Sequence, residues 1–113
     1  DLLTVMKAVT DGKLSETEVK FRNQSACCVV MASKGYPVSY EKGYEITIPD
    51  EIKDRVYVAG AKLAGGRVLG AVSTAETLAE AIKKAYGVAE KISFENAYYR
   101  RDIGKKTLEA VKK

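Results

Sequence analysis

Histidine and tryptophan are absent from this chain, and its 113 residues hold only two cysteines and two prolines. Without histidine there is no imidazole to act as metal ligand, general base or pH switch. Cys27 and Cys28 are adjacent. Neighbours on a strand point to opposite faces, so these two are poorly placed to bridge each other. They sit in an apolar run with no base nearby and read as core thiols rather than nucleophiles. Unpaired thiols suit a reducing cytoplasm. The longest apolar run, residues 26–32, falls far short of the ~20 residues that span a bilayer, and no signal-peptide pattern opens the chain. It begins Asp1-Leu2-Leu3, which reads as a fragment boundary or a processed end. Net charge is modest, at +4, and the basic residues are scattered except for Lys105, Lys106, Lys112 and Lys113. Nucleic-acid binding needs basic residues gathered on one face beside readable aromatics. The lysine-rich end reads instead as a solvated tail.

What is present suits a single globular domain. Hydrophobic residues at 46% and charged residues at 30% are neither disordered nor membrane values, and the length supports one self-sufficient core. Leu2, Leu3, Met6 and Val9 recur at helical spacing, predicting a helix over residues 2–10 with Gly12 as a left-handed stop. Residues 16–22 alternate, with Val19 and Phe21 on one side, as in a half-buried strand. The run 26–32 predicts a strand buried on both faces. Residues 33–43 read as loop, 44–48 as a strand ended by Pro49-Asp50, and 55–59 and 67–72 as further strands joined by a glycine-rich, hairpin-like connection. Thr77-Leu78-Ala79-Glu80 fits a capping box. It opens a helix whose stripe is Leu78, Ala81, Ile82, Ala85, Val88, Ala89 and Ile92. Gly87 is expected where that helix packs closely on the sheet. Strands grouped before a helix argue for an α+β domain: about five mostly antiparallel strands and one long amphipathic helix near the C-terminus.

Three segments carry chemical information. In Lys34-Gly35-Tyr36-Pro37-Val38-Ser39-Tyr40-Glu41-Lys42-Gly43 a strand runs into a loop that could present Lys34 and Lys42 to an anion, or could simply pack its tyrosines. In Gly65-Gly66-Arg67-Val68-Leu69-Gly70 the glycines let backbone N–H groups approach a phosphate and Arg67 adds a forked, permanent charge. The ordinary reading is a hairpin turn, and the segment lacks the ending of a P-loop. In Tyr98-Tyr99-Arg100-Arg101-Asp102-Ile103-Gly104 the aromatics could stack on a base. The commoner outcome is rings packed on the core with Arg paired to Asp.

Together with Cys27-Cys28-Val29-Val30-Met31-Ala32-Ser33, these segments occur in this order in the phosphoribosylamine–glycine ligase family, which the chain resembles from Asp1 to about Leu108. The resemblance implies an ATP-grasp ligase of purine biosynthesis, which joins glycine to phosphoribosylamine with ATP and Mg or Mn. It also implies that this chain is the last domain of that enzyme. On this reading residues 1–14 are the terminal helix of the ATP-grasp region and 15–113 the C-terminal domain, together one compact unit. The family's metal- and ATP-holding signature has no counterpart here, so no catalytic residue, metal ligand or cofactor is assigned to this chain, which is expected to be inactive alone. The upstream ATP-grasp domains are its implied partners. Gly65, Gly66 and Arg67 match the position expected to face the sugar-phosphate substrate. Three departures stand out. Val38 replaces a usual Gly, Val58-Ala59-Gly60-Ala61 replaces His-Ala-Gly-Thr, and the connection between Lys62 and Gly65 is short. These support an alternative, an engineered protein-binding scaffold or a weakly self-associating surface. Its contact residues would be Val38, Val58, Ala61 and Leu63, with Tyr36, Tyr40 and Tyr57 supplying most of the affinity. No nucleic-acid or membrane partner is expected.

Overall fold

In the computed structural model residues 1–59 and 63–111 are described. Helix α1 spans Leu2–Thr10. Asp1 caps it by accepting from the Leu3 N–H at 3.1 Å. Gly12, at φ +68°, ends it in the left-handed conformation that its lack of a side chain favours. Six short strands follow: β1 Ser25–Ser33, β2 Tyr44–Glu45, β3 Val56–Val58, β4 Leu63–Ala64, β5 Arg67–Ala75 and β6 Ala97–Tyr98. Helix α2, Leu78–Ala89, lies between β5 and β6, and α3, Lys105–Val111, closes the described chain. One antiparallel sheet has the order β3-β5-β1-β6, and β2 and β4 form a second, two-stranded sheet. The α+β class and the largely antiparallel pairing agree with the sequence reading. No described helix is long and apolar enough to cross a membrane.

The core forms between one face of the sheet and α2. Strand register sets Cys27 opposite Ser73, Val29 opposite Ala71 and Met31 opposite Leu69, and all six side chains are buried. Against them α2 buries Ala81, Ala85, Val88 and Ala89. These small side chains let the helix axis come close to the sheet, the role that the sequence suggested for Gly87. Gly87 itself is exposed, with nothing within 4 Å of where its Cβ would stand. The helix begins as the capping signal predicts, with Thr77 Oγ1 accepting from the Glu80 N–H at 3.3 Å. Ile82 is only half-buried, packed against the edge of the core.

Three strand expectations need correction. The run 26–32 is buried on one face, not both. Val30 is 47% exposed and Cys28 faces outward, because among the described residues only α2 covers this sheet. Cys28 is therefore not a core thiol, whereas Cys27 is, and burial pushes its thiol above the usual range. Residues 16–22 form no strand despite their alternation. Leu14–Glu16 is a 3-10 turn and Phe21 is 91% exposed. Alternation shows which side chains share a face, but a strand also needs a partner for its backbone groups. Strand β2 covers only the start of the predicted 44–48 strand, and Thr47 beyond it makes an isolated bridge to Ser93.

The segment after α2 follows the ordinary reading only in part: Tyr99 packs against the core, but Tyr98 is 54% exposed. The Tyr86 hydroxyl donates to the Arg100 carbonyl at 2.7 Å and accepts from the Ile103 N–H at 3.0 Å. Arg100 forks onto Asp102 at 2.9 and 2.6 Å. That contact holds the Asp102 carboxyl below its usual range. The Arg101 guanidinium lies 4.6 Å from the centre of the Tyr99 ring. The lysine-rich end is not a simple tail, since Lys105 and Lys106 open α3, while Lys112 and Lys113 lie outside the described residues.

Candidate functional site

The outward face of the sheet, which α2 leaves uncovered, carries a cavity of about 600 Å³. Its floor includes Val30 of β1 and Gly70 of β5, which are register partners. Gly70 keeps this floor low, since a Cβ there would stand 2.9 Å from the Cys28 sulfur. Tyr57 lines one side from β3, and Tyr36 and Tyr40 line another from the loop after β1. The turn Gly65-Gly66-Arg67, entering β5, completes the rim.

The turn and the loop are built against each other. The Gly66 carbonyl accepts from the Ser33 N–H at 2.9 Å, and the Ala64 carbonyl accepts from the Gly43 N–H at 2.9 Å. Gly66 is buried at φ +70°. A Cβ on it would lie 3.2 Å from the Tyr40 hydroxyl oxygen and 3.5 Å from the Tyr36 ring. Those two rings meet at 5.5 Å between centroids with a 60° tilt. The aliphatic stem of Lys42 passes within 3.5 Å of the Cβ position of Gly65. Its ammonium sits 5.5 Å from the Tyr40 ring centre. Arg67 is exposed at the mouth.

The nearby carboxylate of Glu41 is held by other groups. The Tyr44 hydroxyl and the Asn96 amide, at 3.1 Å, both donate to it. The first contact pushes the Tyr44 phenol up to about 12. Among the described residues neither Arg67 nor Lys42 takes part in an ion pair. No three Asp, Glu, Cys or His side chains converge among the described residues.

The structure thus merges two groups that the sequence assigned to separate roles. Gly65, Gly66 and Arg67, expected to face a phosphate, share one cavity with Tyr36, Tyr40 and Tyr57, expected at a partner surface. Val38 and Val58 are exposed, at 93% and 54%, as the partner-surface reading requires, but neither lines this cavity. Ala61 lies outside the described residues, as does the side chain of Leu63. Sequence reasoning missed Val30, and it named Gly70 only as the end of the glycine segment, not as cavity floor. The even-numbered parity of β1 would have exposed Val30, had the run 26–32 not suggested burial on both sides.

Comparison with known proteins bears on this arrangement. Residues 26–106 match the family described as Phosphoribosylglycinamide synthetase, C domain. A phosphoribosylamine–glycine ligase of Clostridium acetobutylicum is 48% identical over 112 residues, covering 93% of this chain and 27% of that protein. A bifunctional purine biosynthetic protein of Dictyostelium discoideum is 42% identical, over 96% of this chain and 15% of that protein. The crystal structure of a phosphoribosylamine–glycine ligase from Thermotoga maritima superposes with a TM-score of 0.62 at 49% identity. It covers 69% of this chain and 21% of that one. The chain therefore spans about a quarter of the length of the ligases it matches, and it belongs to the phosphoribosylglycinamide synthetase C-domain family.

Proposed function

We propose that this chain is the C-terminal part of a phosphoribosylamine–glycine ligase, and that its cavity receives the phosphate end of the sugar-phosphate substrate. The observation that carries this reading is Arg67, exposed and free of any ion pair among the described residues, on a glycine turn at the mouth of the cavity. A guanidinium and backbone N–H groups with no side chain in the way are the groups that bind a phosphate. Arg67→Met should weaken binding of ribose 5-phosphate by at least about tenfold, the loss expected when a hydrogen bond to a charged group is removed. Titration followed by amide chemical shifts of Gly65 to Gly70 would measure it. Unchanged affinity in the variant would remove the reading.

In this reading ATP and its metal bind the remainder of the ligase, residues 1–14 are the last helix of that remainder, and the working compartment is the cytoplasm. The family match starts only at residue 26. Leu2, Leu3, Met6 and Val9 of α1 are each more than half exposed, as suits a helix whose apolar side is covered by something other than this domain. The chain alone should therefore form no carbon–nitrogen bond between glycine and phosphoribosylamine when given ATP and Mg. Any ATP-dependent product from the purified chain would contradict this.

A further inference from the structure

We propose that Lys42 is a second cationic ligand of the phosphate, held ready beside the turn by the Tyr40 ring. The proposal rests on the phosphate reading of the Gly65-Gly66-Arg67 turn and adds to it a residue from a different part of the chain. Lys42 is 25 residues before Arg67, yet the Gly43–Ala64 backbone bond brings its segment to the turn. Its stem lies against Gly65, where the absence of a side chain leaves room for it. Its ammonium stands over the face of Tyr40, the ring whose hydroxyl is next to Gly66.

A cation over an aromatic face is held weakly, by about 0.5–1 kcal/mol at an exposed site, so it is oriented without being consumed. The adjacent carboxylate does not compete, because Glu41 is engaged by Tyr44 and Asn96. Arg67 lines the cavity and Lys42 packs behind it on Gly65 and Tyr40, and both are outside any ion pair among the described residues, so two positive charges flank the turn. A phosphate monoester carries nearly two negative charges near neutral pH. Lys34, the other loop lysine that the sequence offered to an anion, is exposed and is not among the groups nearest the Cβ positions of Gly65 and Gly66, so comparing it with Lys42 separates a specific contact from general attraction.

The test is a titration of the 113-residue chain with ribose 5-phosphate at fixed ionic strength, using five single variants and one double variant. Lys42→Met keeps the stem and its packing on Gly65 while deleting the charge, and should weaken binding about tenfold. Lys42→Arg should restore most of the loss, which a packing role would not require. Tyr40→Leu should weaken binding about threefold on its own, the scale of the cation–ring contact, but should add nothing once Lys42 is Met. Lys34→Met should leave the affinity within about twofold, as expected for a screened surface charge. If Lys42→Met binds like the parent while Arg67→Met does not, Lys42 is not a ligand and the Arg67 site stands. If Lys34→Met loses as much as Lys42→Met, the effect is general attraction and the proposal falls. If the unaltered chain shows no saturable response, this proposal and the phosphate reading fall together.

Discussion

Replacing Leu69 by alanine should lower the unfolding free energy of the chain by about 3 kcal/mol, within the range for a buried leucine. Leu69 is 1% exposed and stands opposite Met31, also 1% exposed, near the centre of the sheet. The helix above it contributes mainly alanines, Ala81, Ala85 and Ala89, each fully buried. Such a seam has already closed as far as its side chains allow, so it cannot collapse into the space that the three lost carbons would leave. The cost therefore includes both lost transfer energy and a persistent cavity. For a domain near this size it corresponds to a fall of about 10 °C or more in the thermal midpoint. Ile82→Ala should cost less, about 1–2 kcal/mol, because Ile82 is only half-buried. Urea denaturation followed by circular dichroism compares the two. Equal losses would mean that the core is centred on α2 rather than on the β1–β5 pair.

Gly35→Ala should damage the molecule by a different route. Gly35 has φ +90°, a conformation that a side chain makes costly, by about 1–3 kcal/mol. A Cβ there would also run into the carbonyl oxygen of Ser39. That oxygen belongs to the backbone, so no rotamer change relieves the clash. The Gly35 carbonyl accepts from the Val38 and Ser39 N–H groups at 3.0 and 3.2 Å, so any shift opens the tight turn that carries Tyr36 and Tyr40. The expected result is a loss of about 2–4 kcal/mol, with the largest amide shifts at residues 33–43 and at Gly66. Gly43→Ala is the matched control. It has the same handedness at φ +93° but open space around its Cβ position. It should lose only the conformational part, about 1 kcal/mol. If Gly35→Ala and Gly43→Ala behave alike, the Ser39 contact is not what fixes the loop.

The elements whose cause is local were legible in the sequence. Helix α2 is announced by Thr77 and Glu80 and by a stripe that repeats every turn, and α1 by its apolar spacing and Gly12. These signals lie within one segment and need no knowledge of the rest of the chain. Strand pairing is different. Nothing within residues 97 and 98 marks them as β6. They are a strand because the edge of β1 at Ala32 and Ser33 is available to them. Conversely, residues 16–22 have the alternation of a strand and lack the neighbour. The run 26–32 was misread for a related reason, since apolarity on both faces does not say whether a second layer exists to cover them.

The site divides along the same line. Gly65, Gly66 and Arg67 can be recognised as a turn able to meet an anion, and Tyr36 and Tyr40 as rings in a glycine-punctuated loop. That the rings press on Gly66 and that the Lys42 stem crosses Gly65 depends on two backbone bonds between distant segments. The resemblance to the ligase family named the same segments through their order, without saying what they touch.

The route of the chain from β3 to β5 has a consequence for how relatives of this domain can vary. Strand β3 is tied to β5 up to Val58 opposite Leu69, and the Ala59 N–H closes the pair by donating to the Val68 carbonyl at 2.9 Å. On the far side Leu63 and Ala64 are anchored to β2. Between those two anchors the number of residues is set by neither sheet. Insertions and deletions can therefore accumulate there while strand register, core and the Gly65-Gly66 turn stay as they are, since lengthening a loop costs only the logarithm of its length.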